Sequence, residues 1–498
     1  QSSYLNTDYL NSSVYILCVS VVNHFLLCIL AAKLMFKKFL WRQFLLFLVT
    51  ACIVIFVFSK ADAQAPDFLW VKQGSGEKNN VARGITVDNR DNEIATGSFQ
   101  SKVNLDGREI ISAGLQDIFI AKYNGKGEIY WIKQFGSQGR DFAFDIVDAD
   151  SQGSSFVTGL FSNTVNFDQF TLEDVGGGDM FTAKIDSSGR VIWARQAGGS
   201  ELDGGNEVAR DAAGNALVIA NSYGSVKIED VVLKHQGKQD IFIAKYDQNG
   251  KFLWTRQIAG PGEERGRGIT ADKQRNVVTT GEFVGPLKID SQTVNSASNL
   301  KDVFLAKYDD SGKFLWAKSF GSNGDDYGRG VGTDAEGNIY FSGVFSGEVK
   351  FDNQILNSVG GSKDIFLAKA DASGSVIWAR QMGGFGSDEG CEIEVDEAGN
   401  SYISGGFAES ATFESQVLNS VGRRDVFVAK YDTQGKLVWL KQAGGKGDDE
   451  DYAIAVDDSQ KVTIVGTFNR ETKFSDFSVK NVSESIAFFV AQLGKNRN

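Results

Sequence analysis

Seven tryptophans, Trp70, Trp131, Trp193, Trp254, Trp316, Trp378 and Trp439, fall 61 or 62 residues apart, each inside nearly the same stretch of sequence. A unit repeated at fixed spacing buries its faces only against its neighbours, so the period sets the architecture before any local reading. Residues recurring in every copy answer a demand common to all copies. Specific function is therefore expected where the copies differ.

Two positions after each Trp stands a base: Lys72, Lys133, Arg195, Arg256, Lys318, Arg380 and Lys441. Ten positions after it stands an acid in six copies, Asp141, Asp203, Glu264, Asp326, Asp388 and Asp449, with Asn80 in the first. An aspartate follows in all seven: Asp88, Asp150, Asp211, Asp272, Asp334, Asp396 and Asp457. Each unit also holds four segments rich in β-branched and aromatic residues and bounded by Gly, Asn and Asp, the signature of strands. In the fifth copy they are Gly330–Asp334, Ile339–Phe345, Asp364–Lys369 and Val376–Gln381.

The joins Asp334-Ala335-Glu336-Gly337-Asn338 and Asp371-Ala372-Ser373-Gly374 have hairpin composition, which makes neighbouring strands antiparallel. A longer stretch, Gly347–Lys363, links the second strand to the third. No segment carries the 3.6-residue period of a long amphipathic helix. The fourth strand is apolar on both sides of its Trp, as in Phe314-Leu315-Trp316-Ala317 and Val376-Ile377-Trp378-Ala379, which predicts cover on both faces. One small residue recurs in the third strand, at Ala121, Ala183, Ala244, Ala306, Ala368, Ala429 and Ala491, where a bulky neighbour is expected.

Four antiparallel strands in each of seven units predict an all-β, seven-bladed β-propeller. The recognisable repeat opens with a lone fourth strand, Phe68–Gln73, and closes with a third strand, Phe488–Leu493. The ring is thus expected to close by the N-terminal strand pairing into the last blade, which removes two exposed edges. An open solenoid is the alternative. The runs Gly324-Asp325-Asp326-Tyr327-Gly328-Arg329-Gly330, Asp334-Ala335-Glu336-Gly337-Asn338-Ile339-Tyr340 and Phe341-Ser342-Gly343 resemble the SBBP-type bacterial β-propeller repeat, over residues 66 to 493. The family usually places a Phe-Pro pair after the second strand, whereas these copies have Val349-Lys350-Phe351-Asp352 or equivalents. The resemblance implies an exported or surface protein and no common reaction.

Residues 35–63 read as a signal peptide: Lys37, Lys38 and Arg42 form the basic start, Phe44–Phe58 the apolar run and Ala61-Asp62-Ala63 the cleavage site. Val49-Thr50-Ala51-Cys52 offers a lipoprotein box as an alternative, although six apolar residues follow Cys52. Residues 1–34 precede a Met and read as upstream translation, or as an apolar segment, since Val14–Leu34 is long enough to span a bilayer. Residues 64–498 form the propeller. The leader's five bases and two acids contribute +3 to the formal charge of −12, leaving the propeller at −15. That balance argues against nucleic acid or an anionic membrane as partner of the mature domain, which is expected to be a monomer.

Of four cysteines, Cys18, Cys28 and Cys52 lie in the leader, so Cys391 has no disulfide partner in the mature chain. Its place matches Gly84, Gly268 and Gly330, which predicts a small buried residue. The two histidines are His24, in the leader, and His235, in a connection between strands, too few for a triad or a zinc site. Asp325-Asp326 and Asp448-Asp449-Glu450-Asp451 lack the alternating spacing of a calcium loop. The bases after each Trp, with Lys122, Lys184, Lys245, Lys307, Lys369 and Lys430, could line an anion groove, but their recurrence favours ion pairs. No catalytic, cofactor or metal residue is assigned.

Three places break the pattern: Asn221-Ser222-Tyr223, Gly260-Pro261-Gly262-Glu263-Glu264-Arg265 and Gly422-Arg423-Arg424. The reading is an exported, non-enzymatic scaffold at the cell surface or in the periplasm. It binds a protein or a polysaccharide through its loops and needs no cofactor. The alternative is a glycoside hydrolase or polysaccharide lyase using channel carboxylates. An enzyme requires an asymmetric carboxylate cluster in one pocket, whereas a scaffold requires only charge that follows the repeat.

Overall fold

The computed structural model describes residues 65–481, 483 and 485–495, with the backbone alone at Cys391. The expectations for 1–34, for the signal over 35–63 and for Cys52 fall outside the described residues. Residues 65–498 form one compact unit. Within it, units one to six of the repeat are each a four-stranded antiparallel sheet whose strands follow chain order. Unit one is Asn80–Val87, Glu93–Phe99, Asp117–Tyr123 and Ile129–Phe135. The fifth is Tyr327–Thr333, Ile339–Ser346, Lys363–Ala370 and Val376–Gly384, within three residues of the sequence reading at every boundary.

The seventh sheet takes three strands from the end of the chain, Glu450–Val456, Val462–Phe468 and Ala487–Gly494, and its fourth, Asp67–Gly76, from the beginning. Val71 faces Ala491 and Lys72 faces Val490 in that antiparallel pair. The lone opening strand therefore has the expected partner. An edge that would otherwise offer unpaired amides is covered.

The longer stretch between second and third strands, for which the sequence gives no element, is itself structured. Each link folds as its own hairpin, for example Glu348–Phe351 on Gln354–Asn357. Its turn begins with a residue at positive φ, 51° at Asp352 and 50° at Asp106, which Asp tolerates through local hydrogen bonding. Several hairpins reach across to the fourth strand of the preceding unit: Lys102–Leu105 pairs with Asp67–Gly76, and Pro286–Ile289 with Phe252–Ala259. Neighbouring sheets are laced together by backbone bonds as well as by packing.

Burial corrects the fourth strand. Ile377 is 51% exposed and Leu315 44%, while Trp378 and Ala379 are buried. The fully covered strands are the second and third, such as Glu93–Phe99 and Asp117–Tyr123, because the fourth lies at the outer edge of its sheet. The core consists of clusters shared by two successive units. One joins units five and six through Ile365, Leu367 and Trp378 on one side and Ile403, Phe407 and Phe427 on the other. Another joins units seven and one through Trp70, Phe488 and Val490 with Ala82, Ala95 and Phe119.

The conserved spacing of the tryptophans has a direct cause. Six of the seven indoles, all but Trp439, lie against the glycine of the next unit's last hairpin: Trp193 on Gly250, Trp316 on Gly374, Trp378 on Gly435. At Gly250, φ is +77° and a Cβ would stand 2.7 Å from the Trp193 ring, so glycine is required twice over. From Trp131 to Trp378, five indole N–H groups donate to a carbonyl of the same hairpin, as from Trp193 to Gln248 at 3.1 Å and from Trp378 to Thr433 at 3.1 Å. Two residues on, Arg195 donates to Gly250 O and Arg380 to Gly435 O, both at 2.7 Å. The recurring third-strand alanines are fully buried in these shared clusters, Ala121 with Trp70 and Ala244 with Trp193. The small residue faces the unit that brings the indole.

Candidate functional site

The repeated charges resolve into structural pairs. Lys122 meets Asp88 at 2.7 Å, Lys184 meets Asp150 at 2.8 Å, Lys245 meets Asp211 at 2.8 Å and Lys369 meets Asp334 at 3.0 Å. Lys307 with Asp272 and Lys430 with Asp396 repeat the arrangement. These lysines are buried inside their sheets and form no anion groove. The acid ten positions after each Trp caps the loop before it: Asp141 accepts the Ser137 N–H at 2.6 Å, Asp326 that of Ser322 at 2.6 Å, Asp449 that of Gly445 at 2.8 Å. Asp325 accepts the Lys301 N–H, Asp451 accepts the Ser404 hydroxyl, and Glu450 pairs with Arg424, so the two acidic runs are engaged with donors. Among the described residues, no group of three or more His, Cys, Asp or Glu is placed to hold a metal ion. His235 sits 3.5 Å from Asp240 on its connecting loop.

The copies diverge at one structural position. Every first strand carries a β-bulge, seen as a register shift across Ala82/Gly84 in unit one, Ala143/Asp145 in unit two and Asp451/Ala453 in unit seven. The residue left over, thirteen after the Trp, is Arg83, Phe144, Asn206, Arg267, Arg329, Cys391 and Tyr452 in turn. A bulge re-aims its extra side chain away from the alternating pattern. Arg83, Phe144, Asn206, Arg267, Arg329 and Tyr452 line one cavity of about 300 Å³, to which the sixth unit contributes Glu392. Pairing of Gly390 with Gly405 and of Ile393 with Ile403 aligns Cys391 with Arg329, which corrects its matching to Gly330.

Four arginines reach this cavity: Arg83, Arg265, Arg267 and Arg329. Arg267 is held by Glu282, with Nη2 donating to Oε1 at 3.0 Å. The Arg83 guanidinium lies 4.9 Å from the Tyr452 ring centroid and 5.6 Å from that of Phe144, joining units one, two and seven by cation–π contacts. The Nε atoms of Arg83, Arg265 and Arg329 are buried without a hydrogen-bond partner. Burial, with Arg267 close by, lowers the pKa of Arg265. Gln239 also lines the cavity, only 3% exposed, with its side-chain oxygen unpartnered.

Carboxylates break the repeat as well. Asp145, Glu207 and Glu392 occupy the position after the bulged residue in units two, three and six, where units one, four and five have Gly84, Gly268 and Gly330. They face a second cavity of about 280 Å³ further along the same strands, together with Asp148 and Glu394. Burial pushes Asp145 up to about 7 and Glu394 up to about 7. Burial and then like charge hold Glu207 and Glu392 well above the usual carboxylate range. Two of the three bridge successive units, since Asp145 accepts the Val208 N–H at 2.9 Å and Glu207 the Ile269 N–H at 3.1 Å.

Of the three divergent segments, Asn221 and Tyr223 of the first and Arg265 of the second line the arginine cavity. The third lies elsewhere, Arg424 pairing with Glu389 and Glu450. The bulged position itself went unread, although its variation from Arg to Phe to Asn was present in the aligned copies.

No family model matches the chain. It is 22% identical over 504 residues to an uncharacterized WD repeat-containing protein of Acanthamoeba polyphaga mimivirus, across 81% of this chain and 36% of that protein. It is 28% identical over 190 residues to the regulatory protein FlaEY of Caulobacter vibrioides, across 37% of this chain and 19% of that one. The chain thus spans about a third of the first relative and a fifth of the second. Similar solved structures include the Pan2 WD40 domain of Neurospora crassa, with a TM-score of 0.39 and 8% identity over 87% of this chain and 99% of that one. A gluconolactonase of Xanthomonas campestris follows at 0.33 and 12%, over 84% and 97%. A Synechocystis apocarotenoid oxygenase variant scores 0.40 at 10% identity, over 86% and 93%. With its repeated four-stranded sheets and a relative named for WD repeats, the chain is a repeat protein of the β-propeller kind.

Proposed function

We propose that the chain is an exported, closed seven-bladed β-propeller of the SBBP type, and that it acts as a non-enzymatic binding module whose ligand enters the arginine-lined cavity. Closure is supported by the pairing of Asp67–Gly76 with Ala487–Gly494, by the core shared between units seven and one, and by Arg83 lying between Phe144 and Tyr452. The observation that carries the binding reading is the bulged position: the surrounding strands repeat, while this side chain is Arg in three copies and Phe, Asn, Cys and Tyr in the other four. A scaffold that repeats and a site that does not is how binding sites sit on symmetric folds.

Filling the cavity tests it. With Asn206→Trp, capture of glycans or envelope proteins by the purified chain should be lost, while Tyr130→Lys on the exposed fourth strand should leave capture intact. Loss with Tyr130→Lys alone would move the binding surface to the rim. For export, the intact mass of the secreted chain should start near Gln64 or Pro66; a mass starting at Cys52 with acyl chains would overturn that part.

A second reading, a glycan-active enzyme, is favoured by one observation, the uneven distribution of Asp145, Glu207 and Glu392. Asp145 and Glu207 are accounted for by the amides they accept, which leaves Glu392 to do chemistry. Turnover of a polysaccharide abolished by Glu392→Gln would establish the enzyme.

A further inference from the structure

Resting on the reading that the ligand enters this cavity, we infer that the group it receives is the carboxylate of an acidic sugar, carried singly at the end or a branch of an otherwise neutral saccharide. Arg83, Arg265 and Arg329 reach the cavity with no ion pair or hydrogen bond of their own, and their Nε atoms are buried and unpartnered. A buried donor without a partner is costly, so guanidinium groups left this way are poised for an acceptor supplied from outside. Planar guanidinium forks match a carboxylate two bonds at a time.

The remaining lining is that of a sugar site. The exposed Tyr223 offers a ring face for the apolar side of a pyranose, whereas Phe144 and Tyr452 already carry Arg83 over theirs, and the amides of Asn206 and Gln239 are free to pair with hydroxyls. The Gln239 side chain is almost wholly buried with its oxygen unpartnered, an acceptor waiting for an O–H donor. Asn221 is already committed, its amide bonding both N–H and C=O of Gly266. Sugars need this mixture of stacking faces and fixed polar groups.

Charge decides how many acidic sugars fit. The acids that line the arginine cavity, Asp145 and Glu392, are held toward their neutral forms by burial, so the guanidinium groups set the local sign. Away from the cavity the propeller is acidic, with a formal charge of −15 over residues 65–498. A long polyanion is repelled by that field, whereas one carboxylate focused into a positive pocket is not.

Calorimetric titration of the full chain at pH 6 tests the inference with four probes: a glucuronic-acid-terminated disaccharide, its glucose-terminated counterpart, glucose 6-phosphate and polygalacturonate. The acidic disaccharide should bind, its neutral counterpart should bind at least about tenfold more weakly, and Arg83→Gln and Arg329→Gln should each cost about tenfold or more. Arg83→Lys retains the charge and loses the fork, so it should fall between wild type and Arg83→Gln. Arg83 also spans Phe144 and Tyr452, and Arg329 lies 6.0 Å from the Tyr327 ring, so the melting temperature of each variant is measured beside its affinity; lost binding in a variant that is still folded supports the inference, and retained binding in such a variant overturns it.

Equal binding of the acidic and neutral disaccharides would overturn the inference. Preference for glucose 6-phosphate would replace the sugar acid by a phosphate, and preference for polygalacturonate would overturn the single-charge argument. If partner capture is lost with Asn206→Trp yet survives both arginine-to-glutamine changes, the acidic-sugar inference falls and the binding cavity stands. If no probe binds and Asn206→Trp has no effect on capture, both fall.

Discussion

Deleting residues 67–76 should leave the chain unfolded or driven into oligomers. The segment buries Phe68 and Trp70, each in a different shared core, and pairs along Phe488–Gly494. Burying two side chains of this size contributes about 3–6 kcal/mol, before the loss of the strand pairing is counted. A net stability of about 5–15 kcal/mol does not absorb that comfortably. A synthetic peptide of residues 65–78, added in trans, should restore the monomer and its melting temperature. A deletion variant that melts unchanged and stays monomeric would show that the last sheet does not depend on the first strand.

The second large effect is an inverted pH dependence. Burial raises the loop-capping acids, Asp141 to about 6, Asp326, Asp388 and Asp449 to about 7, and Asp203 and Glu264 to about 8. Their folded-state values lie above the unfolded ones, so the stability linked to them is present in acid and is lost as pH rises through 6 to 8. Asp88, Asp211 and Asp334 move the other way. Burial opposes the shift, but hydrogen bonds from Lys122, Lys245 and Lys369 and from neighbouring Asn side chains hold these carboxyls below their ordinary range. Their contribution is lost as pH falls below about 4. Because that loss begins once pH exceeds the unfolded values near 4, stability should peak near pH 4, with the melting temperature falling by about 5–10 °C from pH 5 to pH 8. A melting temperature that rises or stays flat over that interval would contradict the burial of these caps.

Much of the scaffold is legible in sequence because each recurring residue has one recurring partner. The Trp spacing reports an indole lying on the next unit's hairpin glycine, and the aspartate after the first strand reports a buried lysine two strands away. Strand boundaries follow from turn chemistry such as Asp371-Ala372-Ser373-Gly374, where Gly374 adopts a φ of +81°. The small hairpins were hidden because Val349-x-Phe351 is too short to signal a strand without the edge it pairs with.

The candidate site was hidden for a different reason. A bulge inserts one residue without changing the apparent pattern, so Arg83, Arg267 and Arg329 read as ordinary strand positions, and Cys391 was aligned one residue off. Only the pairing of Ala82 with Gly97 and Gly84 with Thr96 shows that Arg83 stands outside the ladder. Asn221, Tyr223 and Arg265 drew notice as departures from the repeat, but their convergence on one cavity depends on contacts between units.

The central claim is that the repeated strands build the ring while the bulged residues receive the ligand. A crystal structure of the protein grown with the glucuronic-acid-terminated disaccharide tests this most directly. The claim predicts its carboxylate within hydrogen-bond distance of Arg83 and Arg329, with the pyranose against Tyr223. A disaccharide bound on the outer rim, with the arginine cavity holding only water, would contradict it.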